Sequence, residues 1–82
     1  GVLIMRDLLE SMVKAIVDNS DDVKITETEG ENSTIYELHL GEGDLGKVIG
    51  KRGKNIGAIR TIISAASAKE GAKRSIIEII EE

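Results

Sequence analysis

The sequence predicts an α+β fold in which three helices cover one face of a three-stranded sheet, in the order α-β-β-α-α-β. Three observations carry this. Apolar residues recur at helical spacing from Met5 to Val17. Two β-branched stretches then alternate in polarity between Val23 and Gly41. After Gly43 a helical period returns and lasts until a closing apolar run, RSIIEII. In a chain of 82 residues whose only aromatic is Tyr36, the core must be small and aliphatic.

The first helix rests on Met5, Leu8, Leu9, Met12, Val13, Ile16 and Val17, and its pattern predicts an end near Asn19. NSDD then reads as a turn. VKITETEG and STIYELHLG read as antiparallel strands joined near Gly30-Glu31-Asn32. Asp44 stands where it would N-cap a short helix running through Ile49. After a GKRG turn, a second helix carries Ile56, Ile59, Ile62, Ile63 and Ala66 on one predicted face and stops at Gly71. RSIIEII is almost continuously apolar, which predicts a strand that is central or covered on both faces. There is no proline, repeat or linker, so residues 1–82 read as one domain. Gly1 and the other residues before Met5 read as an added leader or an alternative start.

Composition excludes several classes. The absence of cysteine removes disulfides and cysteine-based zinc sites and fits a reducing cytoplasm. His39 alone cannot build a metal centre, and no cofactor is expected. No apolar run approaches the ~20 residues that span a bilayer, so membrane insertion is not expected.

The net charge of −4 hides a segregation. Residues 1–44 carry 3 basic and 11 acidic side chains, whereas residues 45–74 carry 8 basic and 1 acidic. A polyanion responds to such a local field more than to the total.

GEGDLGKV, from Gly41 to Val48, fits the G-x-G-x-x-G loop of dinucleotide folds and the glycine loop of kinases, and nearly fits Walker A. Each reading fails on physics. Glu42 and Asp44 place carboxylates where phosphate oxygens would sit, and Val48 replaces the hydroxyl that would hold magnesium. The segment reads as a turn and helix start. The serines have only His39 as a histidine base, and no carboxylate pair is set in an apolar pocket by its spacing. The chain is not expected to be an enzyme.

VIGKRGKNIG, from Val48 to Gly57, is different. Lys54 enters the first turn of a helix, where the macrodipole disfavours a cation by roughly 0.3–1 kcal/mol. Crowding Lys51, Arg52 and Lys54 adds repulsion. A phosphate held at the turn reverses both effects. Gly50 and Gly53 permit a sharp turn and a close backbone approach, while Ile49 and Ile56 would form an apolar floor beside it.

VIGxxGxxI, set between two short helices after two strands, resembles the KH domain, whose G-x-x-G loop clamps about four nucleotides. The element order is similar to the type II KH arrangement. GKVIGKRGKNIGAIRTIISAA and RDLLESMVKAIVDNSDDVKI are similar to the small bacterial single-KH proteins of the KhpA type. The resemblance implies single-stranded RNA as ligand, with Gly50 and Gly53 as loop glycines and Lys51 and Arg52 as the variable pair. Val48, Ile49 and Ile56 match its apolar positions. Charge and helical position add Lys54 and Arg60. In type II domains the last strand forms the opposite wall, which adds Arg74, with Lys73 in the loop before it. The resemblance also implies an RNA chaperone or post-transcriptional regulator tied to cell-wall growth and cell shape. Its partners would be a larger KhpB (Jag-like) protein or a second copy. A competing expectation is a protein–protein adaptor, motivated by the net acidity and by Ile76 and Ile80, which the pattern places outside the core.

Overall fold

Met5, Leu9 and Val13 share one buried stripe and make the first helix, α1 (Met5–Lys14). The computed structural model of the protein describes residues 4–80. Residues 1–3, part of the predicted leader, lie outside them. The helix ends five residues before the predicted Asn19, and the chain leaves through a turn in which Ile16 and Val17 donate to the Val13 carbonyl. Both residues still pack on the core, which is why the apolar period outlasts the helix.

The strands β1 (Lys24–Glu29) and β2 (Ser33–His39) pair antiparallel, from Lys24 opposite His39 to Glu29 opposite Thr34. Gly30 closes their turn by donating to the Ser33 carbonyl at 2.8 Å. Thr34, Tyr36 and Leu38 point into the core, so every second residue of β2 is buried. The short helix α2 (Leu45–Ile49), a 3₁₀ turn at Lys51–Gly53 and the long helix α3 (Lys54–Glu70) follow as one bent helical path. Gly71 ends it: its N–H bonds Ala68 and Ser67, and Ala72 donates to the Ser67 carbonyl at 3.0 Å, a Schellman closure.

The last strand, β3 (Arg74–Ile80), corrects one expectation. It pairs parallel with β2, and the order β1-β2-β3 puts it at an edge. A parallel pair needs a crossover, and the α2–α3 segment supplies it. Its inner face carries Ile77, which is buried, and Ser75, whose hydroxyl meets that of the buried Ser67 at 2.6 Å. Ile76 and Ile80 alternate onto the outer face, opposite Ile35 and His39. The apolar run therefore reflects two half-used faces of an edge, not a central strand.

A second correction concerns α3. Ile56, Ile59, Ile63 and Ser67 are its buried residues, while Ile62 is 49% exposed. One residue is about 100° of helix, which carries Ile62 off the stripe that Ile63 occupies. α1 and α3 pack against each other, α1 on β1 and α3 on β3, and α2 packs against α3.

Candidate nucleic-acid interface

The corner is built by backbone geometry that few residues tolerate. Gly50 bonds back to the Gly46 carbonyl at 2.8 Å and takes φ 76° and ψ 170°, a region reserved for glycine. A Cβ added there would lie 2.8 Å from the backbone nitrogen of Asn55 and 2.6 Å from its Cγ. Gly53 is left-handed at φ 72°, with open space where a Cβ would go. Arg52, at φ 58°, is the non-glycine residue with positive φ among the described residues. That conformation costs an L-residue roughly 1–2 kcal/mol.

Asn55 holds the corner closed, a role the sequence reading did not assign. Its Nδ2 donates to the Lys47 carbonyl at 2.8 Å. That carbonyl belongs to the last turn of α2, where helix geometry provides no partner. The tight turn is the one local sign, since it must bring the carbonyl end of α2 beside the first turn of α3.

Lys51, Arg52 and Lys54 are exposed and line an open cavity of about 580 Å³. Among the described residues, none of them has a carboxylate within 4.0 Å. Other cations do: Lys14 reaches Glu10 at 3.1 Å, Lys47 reaches Asp18 at 3.1 Å and Lys73 reaches Glu29 at 3.4 Å. In a chain of net charge −4, the acidic side chains are gathered elsewhere and the corner keeps its positive field.

The remaining nominated residues fall into three places. Val48 is fully buried and Ile56 is 7% exposed, so both support the corner from below, while Ile49 is half-buried beside it. Arg60 and Arg74 line a second cavity between α3 and β3. Lys73 is committed to the β1–β2 turn, donating to the Gly30 carbonyl at 2.9 Å.

Asp44 occupies the N-cap position of α2 but makes no capping bond, which corrects the sequence expectation. It is 1% exposed and accepts from the backbone of Asp18 at 3.2 Å, the backbone of Asn19 at 2.9 Å and Asn19 Nδ2 at 3.1 Å. Its carboxylate is turned toward the segment after α1 instead of the free amides of its own helix. Burial opposes the charge, but these hydrogen bonds and the nearby Lys47 ammonium outweigh it and hold the carboxyl below the usual carboxylate range. Asp44 thus ties the end of α1 to the start of α2. GEGDLG thereby anchors the corner through a carboxylate buried within the glycine pattern.

A family model described as KhpA/KhpB, KH domain, matches residues 6–79. This chain belongs to that family. Relatives in the KhpA/KhpB family cover nearly all of it. It is 50% identical over 76 residues to the RNA-binding protein KhpA of Clostridium acetobutylicum, spanning 93% of this chain and 100% of that one. It is 46% identical over 77 residues to the RNA-binding protein KhpA of Aquifex aeolicus, 94% of this chain and 96% of that one. With the RNA-binding protein KhpA of Chlamydia trachomatis it shares 42% identity over 78 residues, 95% and 99% of the two chains. The family match includes the GKRG corner and nearly all of β3. No helix among the described residues is long and apolar enough to cross a membrane.

Proposed function

We propose that this chain is a non-catalytic RNA-binding protein that seats single-stranded RNA on the GKRG corner. The observation that carries the reading is the group Lys51, Arg52 and Lys54, left without carboxylate partners among the described residues around a two-glycine turn. Backbone amides at the start of α3 and these cations together suit a sugar–phosphate chain. Ile49 offers the adjacent apolar surface. The names of the KhpA relatives support the same ligand class.

Affinity is expected to be weak and salt-sensitive. Tyr36 is the only aromatic and is 5% exposed, so no aromatic ring offers the ~1–3 kcal/mol per base that stacking supplies. A second KH unit, from a homodimer or a larger KhpB-like protein, would raise affinity through effective concentration. An RNA chaperone or post-transcriptional regulator in the cytoplasm, acting as one unit over residues 1–82, fits such weak, sequence-tolerant contacts.

The test is Lys51→Asp with Arg52→Asp, both glycines kept, titrated with fluorescent single-stranded RNA. Loss of binding with an unchanged melting temperature supports the reading. Binding equal to wild type overturns it. The adaptor reading rests on Ile76 and Ile80, which lie outside the core on the outer sheet face. It is favoured if a protein partner is retained by a double variant whose RNA binding equals wild type.

A further inference from the structure

We propose that Ser64 is a phosphorylation site whose phosphate closes on Arg60 and Arg74 and so turns RNA binding down. The regulatory half of this proposal rests on the GKRG reading; the seat for the phosphate does not.

Two contacts place Ser64. Ser67, three residues further along α3, meets Ser75 hydroxyl to hydroxyl at 2.6 Å. Arg60, four residues earlier, donates from Nη2 to the Ile77 carbonyl at 3.2 Å. Residues three and four apart share a helix face, so Ser64 stands between two points where α3 touches the edge strand. There it lines a cavity of about 320 Å³ together with Arg60 and Arg74.

The fold leaves this hydroxyl unused. Ser64 is exposed, and among the described residues its hydroxyl has no hydrogen-bond partner. Thr61, by contrast, donates to the Gly57 carbonyl, and Ser67 and Ser75 satisfy each other. A serine kinase would transfer the γ-phosphoryl group of ATP to Ser64 Oγ. The bond from phosphorus to the ADP oxygen breaks, the bond from phosphorus to Oγ forms, and the hydroxyl proton is released.

The cavity is charged to receive the product. Among the described residues no carboxylate lies within 4.0 Å of Arg60 or Arg74. A guanidinium has five donors, so Arg60 keeps four after its bond to Ile77. A phosphoserine adds about two negative charges and three acceptor oxygens, which form charge-assisted hydrogen bonds with arginines opposite it. These contacts join α3 to β3 and stabilise the fold. They also occupy both guanidinium groups, and the added charge repels a nearby RNA phosphate. The GKRG corner stays chemically intact, so modification weakens RNA binding without abolishing it.

The experiment uses full-length protein with phosphoserine installed during translation at position 64 or, as a control, at position 11. Ser11 is exposed on α1, outside both cavities. Thermal melts read the seat. Phosphate on Ser64 is expected to raise the melting temperature by about 4–8 °C, the response of a domain this size to one added hydrogen bond. The rise should shrink in an Arg74→Gln background and be absent for Ser11. No rise, or an undiminished rise in Arg74→Gln, overturns the seat. Binding of an eight-nucleotide oligouridine over a salt series reads the regulation. Each phosphate contact adds about 0.7 to the slope of log K against log salt for a single strand. Phosphate on Ser64 is expected to lower that slope by about 0.7–1.4, and on Ser11 to leave it at the wild-type value. An unchanged slope for Ser64 overturns the regulation. If unmodified protein binds no single-stranded RNA, the GKRG reading fails and the melts judge the seat alone. Fragment mass spectra of the protein from its own growing and stationary cells should show phosphate on Ser64; its absence from both overturns the modification.

Discussion

Asn55 donates to the carbonyl of Lys47 at 2.8 Å, joining the first turn of one helix to the last turn of the helix before it. The bond spans the GKRG corner and fixes the angle at which Lys51, Arg52 and Lys54 are displayed. Asn55→Ala is expected to destabilise the fold by about 1 kcal/mol, the net worth of one such hydrogen bond. In a protein of this size that lowers the melting temperature by about 4–8 °C. RNA affinity measured well below the transition should fall as well, because the corner loses its brace. An unchanged affinity would show that the turn holds its shape without Asn55.

The two loop glycines should respond differently to alanine. At Gly50 a methyl group meets the Asn55 backbone at 2.8 Å and the backbone sits in a glycine-only region. Gly50→Ala is expected to lose at least about 3 kcal/mol. At Gly53 the methyl enters open space and only the left-handed conformation is penalised. Gly53→Ala should lose about 1–2 kcal/mol. Chemical denaturation of the two variants beside wild type gives the order directly.

Asp44 links stability to acid. Its folded pKa is lowered, so its contribution is present above the unfolded carboxylate value of about 4 and is lost as pH falls through the lower folded value. Asp44→Asn should be less stable at pH 7, because the amide presents N–H groups where Asp18 and Asn19 donate. Between pH 5 and pH 2 its stability should decline less steeply than that of wild type. Parallel profiles from thermal melts would remove Asp44 from the acid response.

What was legible in the sequence was local. The stripe of Met5, Leu9 and Val13, the alternation in β2, and the glycines and cations of GKRG all lie within a few residues of what they specify. The edge position of β3 was hidden, because RSIIEII has the same composition whether its second face is covered or half-open. The true partners of Asp44 are 25 and 26 residues earlier in the chain, and the carbonyl that Lys73 holds is 43 residues away. Only the packed fold brings such groups together. Asn55 was missed for a related reason: its importance lies in a backbone carbonyl, which no side-chain pattern announces.

Proton–nitrogen correlation spectra of the labelled protein, recorded during titration with a short single-stranded RNA, test the central proposal most directly. The amides of Gly50 to Ile56 are expected to move first and furthest, followed by those near Arg60 and Arg74. The amides of β1, at the far edge of the sheet, should stay in place. Shifts confined to β1 or the outer sheet face, with the Gly50–Ile56 amides unmoved at saturation, would contradict it.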